Sequence, residues 1–349
     1  MAVKLKDVAQ EAGVSLATAS RAFSSADLLA PHTRRRVMEA AQRVGYDLLT
    51  PNRVRTIAVL VPDVSNAVYA AMLKTIQEKA WQGRHRMLLA DTGEDPGREI
   101  EFLQTLGQDA DGVILCSPRS DPTSAAEAVG TTPLVVVNGE AEQAPVVLMD
   151  VEQGLRQATE HLQSLGHESL VYVPGPAASW ANRTRGRILT ELAAQRGLDL
   201  AVVGNQSADV HGGLAAAAAV AASGATAVVA YNDLVALGVQ AGIRALGHRC
   251  PDDISIVGID NIDVAAASDP GLTTVKVDIE KSGSLSFSMV MDQIDGRPVQ
   301  RDPVRLGSQL IVRGSTAAPP GPGTRAPAAE ARATRGRRPR GGPSIGEGK

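Results

Sequence analysis

From Ile57 to Ile294, short apolar segments alternate with amphipathic helical ones, and this alternation constrains the fold more than any other feature of the chain. Runs rich in Val, Leu, Ile and Ala at 57–61, 86–90, 112–116, 133–137, 169–173, 226–230 and 254–258 read as buried strands. Helices predicted at about 66–81, 96–106, 151–165, 185–196, 210–222, 233–246 and 280–294 separate most of them. Parallel neighbours need a crossover long enough to hold a helix, so the pattern predicts parallel sheets covered on both faces. So many units over residues 57–316 exceed one open sheet and favour two lobes with a cleft between them. Ligands of such sheets bind beyond the carboxyl ends of the strands.

The first 46 residues follow another rule. Val8, Ala9 and Ala12 recur at helical spacing, Gly13 can end that helix in the left-handed region, and Ser15 can cap a second one. The second helix buries Ala19 and Phe23 and turns Leu16, Ala17, Ser20 and Arg21 outward. Small alanines at the crossing allow steep, close packing, as in a helix-turn-helix. In that geometry Leu16 and Ala17 would face base edges in the major groove and Arg21 guanine, while a surface helical hairpin with no partner would show the same pattern. Lys4, Thr18 and Ser20 hold phosphates. A third helix over 31–44 starts at Pro31 without a capping side chain at Ala30. It presents Arg34, Arg35 and Arg36 outward, as phosphate contacts or as a solvated face.

Charge agrees with this division. The formal charge of −3 hides a head (1–55) of net +4, a tail (317–349) of net +5 and a middle of −12. A basic head on an acidic body brings the head to a polyanion. The tail is rich in Pro, Gly, Ala and Arg and reads as disordered. No apolar run has the length of a membrane span and the start has no signal-peptide core, so a cytoplasmic protein without membrane contact is expected. Cys116 and Cys250 stand far apart without metal-ligand spacing. No Ser-His-Asp or Cys-His arrangement and no phosphate loop is placed by spacing, so neither catalysis nor a cofactor is expected. His161, His167 and His211 read as structural.

Ordered motifs run the length of the chain: Leu5-Lys6-Asp7-Val8-Ala9, Thr18-Ala19-Ser20-Arg21, Val61-Pro62-Asp63, Leu165-Gly166-His167, Asn232-Asp233, Val257-Gly258-Ile259-Asp260 and Val312-Arg313-Gly314-Ser315. In this order they resemble the LacI/GalR family of bacterial transcription regulators. The resemblance implies an α/β chain with an all-α helix-turn-helix head and a two-lobed, periplasmic-binding-protein-like body with parallel sheets. The expected layout is a DNA-binding head over 1–46, a linker over 47–56, an effector-binding and dimerisation body over 57–316 and the tail over 317–349. It also implies a homodimer on double-stranded operator DNA, more often a repressor, controlled by a small polar effector such as a sugar. A cytoplasmic sugar-binding protein or an enzyme on the same fold, without specific DNA binding, is the rival reading.

Asp63 and Asn66 end the first strand of the body, with Tyr69 replacing a family phenylalanine nearby. The resemblance makes these effector contacts; a turn and an N-cap would explain the polar pair equally. Arg183 precedes Gly186 at the family's Arg-x-x-Gly spacing, and Trp180 could stack on a sugar or pack between lobes. Arg185 and Arg187 are expected at the surface. Asn232 matches a family contact, Asp233 reads as a helix cap, and Asp260 can accept from two sugar hydroxyls.

One departure stands out. Only residues 47–56 join Tyr46 to Ile57, whereas the family carries a longer stretch that folds as a hinge helix and wedges the minor groove. Asn52, Arg53 and Val54 echo that motif, yet a full hinge helix does not fit, and Val54 is the one wedge candidate. Reduced minor-groove bending is therefore expected. Val54→Asp should change operator affinity little in a gel-shift titration; a large loss would reveal a wedge.

Overall fold

The computed structural model describes residues 5–24, 29–44 and 54–321. The chain separates into two units, Met1–Arg55 and Thr56–Lys349. In the first unit α1 (Leu5–Glu11), α2 (Leu16–Ser24) and α3 (Pro31–Arg43) enclose a small core built mainly from Val8, Ala9, Ala12, Ala19, Val37 and Ala40. Gly13 has a φ of +61°, so the chain turns there at no steric cost. Ser15 Oγ accepts from the Thr18 amide at 3.1 Å and caps α2. Pro31 opens α3, and Ala30 gives it no side-chain cap. Arg43 and Glu11 pair at 3.0 Å, joining α3 to α1.

The second unit carries two six-stranded sheets. In chain order the first part runs β1 (Thr56–Val61), α4 (Ala67–Gln82), β2 (Arg86–Asp91), α5 (Pro96–Asp109), β3 (Gly112–Cys116), α6 (Pro122–Val129), β4 (Leu134–Val137) and β5 (Val146–Met149). The second runs α7 (Glu152–Ser164), β6 (Ser169–Val173), α8 (Trp180–Arg196), β7 (Asp199–Val202), α9 (Val210–Ala222), β8 (Ala227–Ala230), α10 (Asp233–Ala245), β9 (Ser255–Asp260), α11 (Asp263–Ala267) and β10 (Thr273–Lys276). The chain then returns through α12 (Ile279–Ile294), β11 (Val304–Leu306) and β12 (Gln309–Ile311).

Lobe 1 has strand order β11-β5-β4-β3-β1-β2, all parallel, and lobe 2 has β12-β10-β9-β8-β6-β7. The expected all-parallel pattern fails at one place, where β12 runs antiparallel to β10. The chain crosses between lobes three times: after β5, after β10, and between β11 and β12. The predicted elements are present with ends shifted by a few residues, the largest shift being α8, which begins at Trp180 rather than 185. The sequence reading missed β5, β7, β10, β11 and β12, and also α6 and α11. These strands have only three or four residues, too few for a period to show.

The central strands are buried throughout, as in β3 and β8, because helices cover both sheet faces, whereas the edge strands β2 and β7 are largely open. The histidines of lobe 2 hold the C-terminal strap: His167 meets Thr226 and the Ala317 carbonyl at 2.8 and 2.9 Å, and His161 meets Thr316 at 2.9 Å. Tail residues 322–349 lie outside the described residues, as do Lys4, Asn52 and Arg53.

Helices α9 and α10 touch backbone to backbone through Gly213 and Gly238. A Cβ on Gly238 would overlap the Val210 carbonyl oxygen and stand 2.8 Å from Gly213 Cα. Backbone cannot yield as a side-chain tip can, so this overpacking costs about 1–3 kcal/mol. Gly238→Ala should lower the urea midpoint of the body without changing the slope of the transition.

Candidate functional site

On the head, Leu16, Ala17, Ser20 and Arg21 are exposed along α2 and Thr18 is half-buried, with Leu16 54% exposed. Arg34 is exposed on α3. In the connector, Val54 is 48% exposed and non-helical, and β1 starts two residues later.

In the body, the carboxyl ends of the strands meet across an inter-lobe cleft with two adjoining cavities. The inner one takes Asn66, Tyr69, Ser117 and Asn138 from lobe 1 and Arg185, Tyr231, Asn232 and Asp260 from lobe 2. The outer and roomier one is bounded by Glu140, Asp150, Trp180, Thr184, Arg187 and Arg305, among others. Both share Asn138, Met149 and Arg185.

Arg185 dominates the electrostatics. Its Nη1 donates to the Tyr231 carbonyl, its Nη2 reaches Asp260 Oδ1 at 3.4 Å, and its guanidinium carbon lies 4.7 Å from the Tyr231 ring centre. Nε has no partner although the side chain is buried. Burial is the largest influence and opposes the Arg185 charge, but the Asp260 carboxylate together with Tyr231, Tyr172 and Tyr69 outweighs it and raises the pKa. Burial lifts Asp260 to about 6 even with Arg185 pulling it down. Asp260 also holds a φ of +116°, a strained backbone for a non-glycine residue of the kind that clusters at ligand sites. On lobe 1, burial pushes the Tyr69 phenol up against the opposing pull of Arg119. Arg119 itself is held by Glu94 and by the Ser117 carbonyl at 2.6 Å.

Tyr69, Asn66, Asn232 and Asp260 therefore share the inner cavity, and Trp180 lines the outer one. Asn66 caps α4 at the Val68 amide (3.0 Å), and Asn232 caps α10 at the Val235 amide (2.8 Å) while donating to the Ala208 carbonyl (2.9 Å). Asp63 lies outside both cavities and closes a turn by accepting from the Ser65 amide and hydroxyl at 2.8 and 2.7 Å. Asp233 is not the cap expected for it. It is buried, with its carboxylate accepting from the Thr274 hydroxyl (2.5 Å) and the Ile262 amide (2.9 Å).

The two arginines exchange positions relative to expectation, Arg183 lying at the surface and Arg185 inside. Arg183 is exposed, donates to the Ala178 carbonyl at 3.0 Å and lines neither cavity, whereas Arg185 is buried. The cause is helix phase. Ser179 caps α8 by accepting from the Asn182 amide, and from that start Ala181, Asn182, Arg185, Ile188, Leu189 and Leu192 form the inner stripe. Arg183 falls on the outer side of the same helix. Ser117, Asn138 and Tyr231 also escaped the sequence reading, since a lone polar residue after an apolar strand carries no distinguishing signal. Among the described residues no cluster suited to a metal ion occurs, and no helix is long and apolar enough to cross a membrane.

Residues 4–52 match the family described as bacterial regulatory proteins, lacI family, and residues 159–316 match the periplasmic binding protein-like domain. The chain is similar to the HTH-type transcriptional regulator MalR of Streptomyces coelicolor, at 30% identity over 92% of this chain and 98% of that protein. It is similar to the HTH-type transcriptional repressor CytR of Escherichia coli, at 29% identity over 91% and 98%. Among solved structures it resembles a LacI family transcriptional regulator from Enterococcus faecium with bound ribose. That match has a TM-score of 0.69 and 27% identity, covering 76% of this chain and 99% of the other.

The buried acids give the stability of the body a pH dependence. Burial and the neighbouring Asp260 raise Asp233 to about 7, against an ordinary value of 3.8. The native state then keeps protons that the unfolded chain releases near pH 4, so stability falls as pH rises from about 4 to about 7. Urea midpoints should be higher at pH 5 than at pH 7.5, and Asp233→Asn, which stays neutral, should flatten part of that difference.

Proposed function

Since the chain belongs to the lacI family of bacterial regulatory proteins, we propose that it is a transcriptional repressor whose operator affinity is set by a small saccharide held between the lobes. The relatives it matches are transcriptional regulators rather than enzymes. The observation that carries the effector half of this reading is Arg185, a buried guanidinium with an unsatisfied Nε in a polar cavity between two lobes. A ligand oxygen satisfies that donor, and Asp260 accepts from a neighbouring hydroxyl. A neutral polyhydroxylated molecule suits this mixture because Arg185 and Asp260 already balance each other. Ribose in the Enterococcus faecium relative supports the same ligand class.

On the DNA side, Leu16 and Ala17 read thymine methyls, Arg21 reads guanine, and Thr18, Ser20 and Arg34 hold phosphates, with Lys4 adding charge from the N-terminus. One head covers too few base pairs for specificity, so two copies read a near-palindromic operator as a homodimer. Acting on operator DNA, the protein would work in the cytoplasm. The ligand acts by preferring one lobe arrangement, which shifts the population of dimers competent to bind DNA.

Genomic footprinting of the purified protein, with and without a panel of sugars, tests both halves. Protection of discrete near-palindromic sites that changes with one sugar is expected. Arg21→Ala should lose the specific sites by a factor of about 10–100, the worth of a bidentate guanine contact. Arg185→Ala should keep the footprint and lose its response to sugar. Protection without sequence preference, or a footprint indifferent to every sugar, would count against the reading.

A further inference from the structure

Trp180 is the first residue of α8 in lobe 2, yet part of its packing is with lobe 1. It lies against the lobe 1 cluster that includes Leu60, Leu115, Val136 and Leu148. Its indole Nε1 donates to Glu140 Oε1 at 3.0 Å, and Glu140 follows β4, also in lobe 1. Neither segment belongs to a crossover between the lobes, so movement of the lobes apart separates them. From this contact we infer that Trp180 and Glu140 form a latch across the cleft, which holds the lobes together against the ligand and so sets the concentration at which the ligand acts. The effect on ligand affinity rests on the reading of the cleft as a saccharide site; the latch itself does not.

The backbone on each side of the latch is fixed within its own lobe. Ser179, just before Trp180, is fully buried; its hydroxyl meets the Tyr231 hydroxyl at 3.1 Å and accepts from the Asn182 amide at 3.2 Å. On lobe 1, the Asn138 amide donates to the Val147 carbonyl at 2.7 Å. Gly139 passes so close to Pro118 that a Cβ there would stand 2.6 Å from its ring. Groups carried on fixed backbones lose little freedom when they meet, so less of the bond is offset by ordering. The acceptor is a carboxylate, which strengthens it further.

The latch acts on the ligand site through α8. Arg185 lies further along the same helix, so a latched Trp180 holds Arg185 beside Asn138 and Met149 of lobe 1. In this arrangement Tyr69 from lobe 1 and Tyr231 and Arg185 from lobe 2 crowd the inner cavity and leave no room for a sugar ring. A sugar that reaches Arg185 must therefore move the lobes apart, at the cost of the Trp180 contact. Ligand and latch compete, and the latched fraction of molecules lowers the apparent affinity. A plain ligand contact at Trp180 or Glu140 has the opposite sign, because its loss weakens binding.

The chain has two tryptophans, and Trp81 is 78% exposed, so Trp81→Phe leaves Trp180 as the reporter of the latch. In that background acrylamide should quench Trp180 poorly. Glu140→Ala should make Trp180 more quenchable and move its emission to the red, whereas Glu140→Gln, which keeps an acceptor oxygen, should stay near the parent. Calorimetric titration of the full chain with ribose, glucose, galactose, maltose and cellobiose then tests the competition. Glu140→Ala should bind its sugar about 3- to 10-fold more tightly, the factor by which loss of one net hydrogen bond shifts a two-state equilibrium. Glu140 is exposed on a loop, and circular dichroism checks that its variants fold. Equal quenching in parent and Glu140→Ala would overturn the latch, and so would weaker or unchanged sugar binding in that variant. Binding of no sugar by any form would overturn the saccharide reading instead, and the quenching result alone would then decide the latch.

Discussion

A guanidinium held out of water needs counter-charge and acceptors on several sides, and lobe 2 is arranged to provide them for Arg185. The residue comes from α8, while the carbonyl and ring of Tyr231 come from the end of β8 and the carboxylate of Asp260 from the end of β9. Those contacts fix the register of the helix against the sheet. They also account for the backbone at Asp260, where a φ of +116° costs about 1–3 kcal/mol. The strain is held in place next door: Asp233 accepts from the Ile262 amide and the Thr274 hydroxyl, and Gly258 leaves no room for a Cβ beside it. The charge that the ligand meets is therefore built into the packing of the lobe.

Lobe 1 answers with groups of a different kind. Tyr69, Ser117 and Asn138 are neutral, and the nearby guanidinium of Arg119 is already satisfied by Glu94 and the Ser117 carbonyl. One lobe thus carries an unspent charged donor and the other offers neutral hydroxyls and an amide. A ligand that contacts both sets gains more from one lobe arrangement than from others, and only such a difference can shift a population. The three interlobe crossings leave the lobes joined along one side, which is where the outer cavity opens beside Asp150, Glu152 and Arg305.

Much of this was legible in the sequence. Periodicity over 57–294 located the long elements, because strands covered on both faces are continuous apolar runs and the crossover helices are amphipathic. It failed for the short edge strands, such as β11 and β12, where three residues carry no period. In the head, Gly13 and Ser15 marked a turn and a cap that the structure contains, since both act locally. The cleft was harder. Spacing to Gly186 pointed to Arg183, but which arginine faces inward depends on where α8 starts, and the capping role of Ser179 was not apparent from an expected start at 185.

The remaining ambiguity has a geometric origin. In a parallel sheet the carboxyl end of each strand is followed by the N-terminus of a helix, so the ligand rim and the N-cap positions are the same few residues. Asn, Asp and Ser satisfy either requirement, and no pattern in one chain separates them. Asn66 and Asn232 show the overlap, each lining the inner cavity while its side-chain oxygen is committed to a helix amide. Asp63 shows the other outcome, with its carboxylate closing a turn outside the cavities. Groups committed to caps hold the rim rigid and present only their remaining faces. Recognition then falls to side chains that no local backbone claims, and Arg185 meets that condition because it sits a turn inside its helix, beyond the cap, with a donor still unspent.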